Sequence, residues 1–257
     1  MIDVSSSKIY DLGQPYYIGM PHFPTHPPYL FTLTRLHGDF VLDNGASSSS
    51  DAITFGGHVG THIDALSHFS CDGKMHGVES FSQSYGGGVG EQSVDTIAPI
   101  IRRGVLFDIA GLEGVNALPS DFVVTPQHLE RCKVEPPEGS IALIRTGWAQ
   151  YWHNSKRYLT GGEGGVVSGP GPAEPAARWL SARKIFAAGS DTVAFERTPS
   201  SMEVHVHLIV ESGIHIIECL NLEELARDGV RQFTFIALPL KFSGGTGSPI
   251  RPIAVVD

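Results

Sequence analysis

The stretch "GGHVGTHIDALSHF", residues 56–69, gathers three histidines and an aspartate, His58, His62, Asp64 and His68, between positions 58 and 68. Residues i and i+4 share a helix face, so His58 and His62 could chelate one ion there. Gly56, Gly57 and Gly60, with β-branched Thr61 and Ile63, suit a helix poorly. An irregular turn leading into a short helix is therefore expected, letting two imidazoles and a carboxylate converge. Two neutral imidazoles and one carboxylate leave coordination positions open, as catalytic metal sites do and closed structural sites do not. His68, four residues after Asp64, either ligates or moves protons beside the ion, because imidazole titrates near neutrality. A lone histidine is usually a surface or satisfied core residue. Four metal-capable groups among glycines are not explained by packing.

Outward from this stretch, 257 residues suffice for one large domain or two small ones. A hydrophobic content of 41% and a charged content of 18% are ordinary for a globular enzyme. The net charge of −9, without a basic cluster, argues against nucleic acid as partner. No apolar run approaches membrane-spanning length, and residues 1–17 lack the basic and apolar regions of a signal peptide. Cys71, Cys132 and Cys219 are odd in number and show no C-x-x-C spacing, which predicts a reduced, cytoplasmic protein.

Five apolar runs predict strands: 104–110, 139–147, 184–191, 213–220 and 231–240. Three helices are expected between them. The first spans 125–133, with Thr125 as cap and Pro126 at its first position; the second spans 174–184, with Pro175 near its start. The third spans 221–229, capped by Asn221 and stopped by Gly229. The order is mixed α/β, and neither a G-x-G-x-x-G nor a Walker loop is present, so no nucleotide cofactor is expected. "EVHVHL" (203–208) leaves two candidates open: His205 and His207 share a face if extended and diverge if helical. His215 is a weaker one. Glu218, after Ile216 and Ile217, is costly to bury unless a metal or an arginine pairs with it.

The pattern His58-x-Gly60-Thr61-His62-x-Asp64-x-x-x-His68 resembles the signature of the metal-dependent cyclase-like hydrolases, a family that includes bacterial kynurenine formamidase and isatin hydrolase. "DGK" (72–74), "LIRTGW" (143–148), "PGP" (170–172), "GSDT" (189–192), residues 203–225 and "GTGSPIRPIA" (245–254) resemble further family segments in family order. Leu66 stands where many members have proline. The resemblance implies one α/β domain over 1–257, a swivelling β/β/α-type core whose β-barrel-like sheet is flanked by helices. It implies His205 and Glu218 as further metal ligands beside His58, His62 and Asp64, and His68 as acid/base. It also implies one or two divalent ions, Zn²⁺ or Mn²⁺, with Glu218 favouring two, and a homodimer or homotetramer.

The implied reaction is hydrolysis of an amide, cyclic amide or ester of a small molecule, the ion activating water and polarising the carbonyl. A lyase or polyketide-type cyclase using the metal as Lewis acid is the alternative, and a non-catalytic metal protein a third. Residues 16–31, rich in aromatics and prolines, predict a loop or edge segment. Its Tyr17, Met20, His22 and Phe23 either wall a substrate pocket or pack the segment onto the core. "WAQYWHNSKRY" (148–158) poses the same question, and Ser47–Ser50 suggest a mobile lid.

Overall fold

A computed structural model describes residues 7–162 and 164–256. Nine strands form one mixed sheet, numbered here in chain order: β1 (Lys8–Asp11), β2 (His62–Asp64), β3 (Ile100–Asp108), β4 (Ile141–Arg145), β5 (Ala187–Ser190), β6 (His215–Glu218), β7 (Gln232–Ala237), β8 (Gly247–Pro249) and β9 (Ile253–Val256). Their order is β1-β9-β7-β3-β4-β5-β6-β2-β8, curled into a half-barrel. β3, β4, β5 and β6 run parallel to one another; the pairs outside this block are antiparallel. Parallel strands are covered on both faces and read as unbroken apolar runs. Every residue of β4, β5 and β6 is accordingly buried.

The two-residue alternation of a strand divides this apolar surface between two cores. Val105, Phe107, Ala142, Ile144, Ala188 and Ile216 face the helix Glu174–Ser181 and a helical segment from Glu203 to Glu211. Leu106, Ile141, Leu143, Ala187 and Ile217 face the other way, onto Ile63, Phe235 and Ala254. Each such fully buried aliphatic side chain contributes roughly 1.5–3 kcal/mol. Gly189 is obligatory in β5, since a Cβ there would press on Leu143 and Leu220.

The five expected strands are present with shifted ends, for local reasons. The run at 104–110 starts earlier and stops at Asp108, whose side chain accepts the Gly111 N–H and caps the short helix Ile109–Leu112. The run at 213–220 stops at Glu218 because Cys219 turns to φ +56°. The helix at 125–133 forms over Pro126–Arg131, with Thr125 and His128 in a reciprocal cap. The helix expected from Asn221 begins at Glu223, and its cap is Leu222. The region 203–208 is helical, three α residues followed by a π-helix over Val206–Glu211, so His205 and His207 diverge. Of the serines at 47–50, Ser47 bridges to Val41 and Ser50 opens the strand Ser50–Thr54, paired with Leu30–Arg35 as a two-stranded ribbon.

Candidate metal centre

The irregular turn expected here leads into the strand β2 rather than directly into a short helix. The antiparallel register sets Ile63 against Ile217 and Glu218 against His62. Ile63 and Ile217 pack into the core on one face, so His62, Asp64 and Glu218 project together from the other. A 3-10 turn follows only at Leu66–His68. Thr61 staples the arrangement: its hydroxyl donates to the Cys219 carbonyl (2.6 Å) and accepts the Gln14 N–H (2.8 Å). Gly60 adopts φ +70°, and a Cβ there would run into the Tyr16 ring.

Two three-residue groups share one aspartate. His58, His62 and Asp64 form the first, and Asp64, His205 and Glu218 the second; within each, the ligand atoms lie within 4.8 Å of one another. His58 Nδ1 lies 2.6 Å from Asp64 Oδ1, and His58 Nε2 lies 2.9 Å from the Thr246 hydroxyl. His62 Nδ1 donates to the Gly60 carbonyl (2.8 Å), which turns Nε2 inward, 3.4 Å from Asp64 Oδ1 and 3.5 Å from Glu218 Oε2. His205 Nε2 lies 3.2 Å from Glu218 Oε1, an oxygen that also accepts the Phe195 N–H at 2.7 Å.

His62 Nε2 and Asp64 Oδ2 are buried without a hydrogen-bond partner among the described residues. Leaving such atoms unpaired costs about 1–3 kcal/mol each. A divalent cation between the imidazoles and carboxylates removes that cost, so the donor set fits the metal read from the sequence. The site's charges are strongly perturbed. Burial opposes ionisation of Asp64, but the histidine cluster around it, with hydrogen bonds from His58 and His62, outweighs it and holds the carboxyl well below its usual range. Burial likewise opposes charge on His205, and Glu196 with Glu218 outweighs it, raising its pKa to about 10.

His68 belongs to neither ligand group. Its ring stacks on His58, centroids 3.8 Å apart and planes 24° apart. Burial lowers its pKa to about 3, against the attraction of Asp64 and with the help of the neighbouring histidines. Near neutral pH burial thus keeps this imidazole uncharged. His207 points away from the centre, to Ser181 Oγ (2.8 Å) and Glu211 Oε2 (2.6 Å). His215 Nδ1 donates to the Asp64 carbonyl (2.8 Å), supporting that residue from behind.

Residues 16–31 lie across the site. Met20 is buried and packs with Val59, Trp148 and Trp152; Tyr17 packs against the same cluster and donates its hydroxyl to the Trp152 carbonyl (2.7 Å). His22 makes a β-bridge to Val59. Phe23 lies 5.9 Å from the ring of His26, whose Nδ1 meets the His58 carbonyl at 3.2 Å. A cavity of about 840 Å³ opens beside Thr246, walled by Ile53, Phe55, Tyr85, Val89 and Phe242, and none of the four expected substrate residues lines it. His26, Thr246 and Glu196 were not singled out in the sequence, where each stands alone in a loop.

The model of the family described as "Putative cyclase" matches residues 10–197. The chain belongs to the Cyclase family. Among curated relatives of this Cyclase member, isatin hydrolase from Roseibium aggregatum is 28% identical over 212 residues, 79% of this chain and 73% of that protein. Kynurenine formamidase from Bacillus mycoides is 24% identical over 253 residues, 97% and 98% of the two chains. The crystal structure of a novel cyclase superposes with a TM-score of 0.85 at 27% identity, covering 97% of this chain and 88% of the other. Isatin hydrolase A from Ralstonia solanacearum superposes with a TM-score of 0.77 at 25% identity, covering 98% and 93%.

Proposed function

We propose that this protein is a metal-dependent hydrolase acting on a non-peptide C–N bond, in an arylformamide or an isatin-like cyclic amide, with lactone esters as related substrates. The observation that carries this reading is the shared aspartate. Asp64 belongs to both ligand groups, two buried ligand atoms are unpaired, and a neutral His68 stands alongside. His58, His62 and Asp64 would hold one ion, and Asp64, His205 and Glu218 a second. The imidazole-rich set suits Zn²⁺, and the added carboxylates suit Mn²⁺ as well. Such an ion, when bound, acidifies water and polarises a carbonyl.

The remaining chemistry falls to the chain's own groups. His68 accepts the proton of the attacking water and returns it to the leaving nitrogen. Its stacking on His58 keeps it beside the centre without making it a ligand. Tyr17, Met20, His22 and Phe23 shape the approach, Tyr17 and Met20 by fixing the segment and Phe23 through His26. Relatives named isatin hydrolase and kynurenine formamidase support a flat aromatic substrate.

The protein acts as a homodimer or homotetramer in this reading. Leu30, Phe31, Leu33, Phe40, Val41 and Ile53 of the ribbon and its tip are all exposed. A two-stranded ribbon is marginal alone in water, and a second copy of the chain would cover it. Among the described residues no helix is long and apolar enough to cross a membrane, and the three free thiols support a cytoplasmic setting. The deciding experiment offers N-formyl aromatic amines, isatins, cyclic imides and lactones to metal-reconstituted protein in ¹⁸O-water. Hydrolysis places the label in the product acid; turnover without label would mean cyclisation or elimination.

A further inference from the structure

Glu196 is 1% exposed and has no lysine or arginine partner among the described residues. An ionised carboxylate so placed must be held by hydrogen bonds. Oε2 accepts the backbone N–H of Val204 (3.1 Å) and of His205 (3.4 Å), and Oε1 accepts the Ser200 hydroxyl (3.2 Å). These contacts tie it to the first turn of the segment that carries His205. The same Oε2 also faces the His205 ring, 3.4 Å from Nδ1.

His205 is thereby held at both nitrogens, Nδ1 by Glu196 and Nε2 toward Glu218. A carboxylate on one imidazole nitrogen fixes the tautomer, leaving the other lone pair free to ligate and making it a stronger donor. The neighbour of Glu196 does the parallel task, since the Phe195 N–H donates to Glu218 Oε1. The loop bearing both is itself anchored. Asp191, at its start, accepts the backbone N–H groups of Thr146, Gly147 and Trp148 and the Thr146 hydroxyl, at 2.7 to 3.0 Å. Two consecutive residues of one loop thus orient both ligand candidates that lie far along the chain from the histidine-rich stretch.

We infer that Glu196 is the positioning residue of His205, holding its Nδ1–H so that Nε2 faces the metal centre. The inference rests on His205 being a ligand. Its rival is a plain helix-capping role for Glu196, and metal affinity separates the two. Chelator-stripped wild type, Glu196→Gln, Glu196→Asp and His205→Ala are titrated with Zn²⁺ against a chromophoric chelator, and the melting temperature of each metal-free protein is recorded. His205→Ala should abolish one binding event. Glu196→Gln should weaken that same event about 10–100-fold, the usual worth of such a partner, and leave any other unchanged. Glu196→Asp, which keeps the charge but withdraws it from the ring, should fall between and covers the case in which Gln fails to fold. Nitrogen NMR of the loaded wild type should show His205 protonated at Nδ1, a state lost from the Gln variant. If the Gln and Asp variants bind Zn²⁺ like wild type while His205→Ala loses an ion, Glu196 is only a cap. If His205→Ala binds every ion as wild type does, the ligand assignment itself fails.

Discussion

His68 lies flat on His58, their ring centroids 3.8 Å apart, yet it is absent from both groups of converging ligand atoms. His68 thus touches a candidate ligand without converging on either group. His68→Ala should keep wild-type metal content and lose about 10²–10⁴-fold in kcat, the usual worth of a positioned proton carrier. Elemental analysis beside steady-state kinetics checks this. Metal lost in step with activity would instead make His68 a ligand.

Asp64 carries the opposite expectation. It is common to both groups and 1% exposed. Asp64→Asn keeps the shape and removes the charge, so it should release the metal from both groups and abolish turnover. Chelation of the wild type should do the same reversibly, with Zn²⁺ or Mn²⁺ restoring activity. Full activity in protein shown to be metal-free would end the metal-hydrolase reading.

Gly247 tests the geometry without removing a ligand. It pairs with Asp64 across β8 and β2, and a Cβ there would enter the His58 ring. Gly247→Ala should displace His58 and weaken metal binding by at least about 10-fold, while the fold, judged by circular dichroism, persists. Unchanged affinity would mean that His58 has room to move and is not held in place by this strand.

The candidate ligands were legible because chemistry and spacing coincide. His62 and Asp64 are two apart, which a strand places on one face, and Ile63 between them is spent on the core. The irregular turn expected ahead of a short helix leads instead into β2, because pairing with β6 and β8 extends His62–Asp64 before the first helical turn at Leu66–His68. His205 could be told from His207 only through resemblance, since the π-helix that separates them leaves no periodic trace. Glu196 was invisible because a lone polar residue in a loop carries no pattern, and Thr246 had no role assigned within the 245–254 segment; only the tertiary register brings them to His205 and His58. The exposed ribbon was not among the strands expected from the sequence, where residues 16–31 read only as a loop or edge segment.

The metal-free protein should show a pH dependence traceable to His205. Its pKa of about 10 lies above the ordinary 6.5, burial opposing the charge and the Glu196 and Glu218 carboxylates more than restoring it. The contribution to stability is therefore complete below pH 6.5 and lost as pH rises through 10. Ligation needs the neutral ring, so metal uptake at pH 8 must expel this proton. Calorimetry in buffers of differing ionisation enthalpy should register the release, and His205→Gln should reduce it by about one proton. Equal release from both proteins would place the proton elsewhere.

The exposed ribbon leads to the last expectation. Leu33 and Phe40 are 48% and 60% exposed, on a two-stranded element that three or more strands, or a covering surface, would ordinarily stabilise. Apolar area of this kind on a folded chain marks an interaction surface. Sedimentation analysis of the wild type should therefore give a dimer or tetramer. Leu33→Glu combined with Phe40→Glu puts two charges into the buried surface, and unpaired buried charge is costly, so the double variant should dissociate to monomer. Because neither residue packs against the three cores or the metal ligands, the dissociated chain should still take up Zn²⁺. A wild type that is monomeric at every concentration tested would leave the ribbon for a different partner and remove the oligomer from the proposed function.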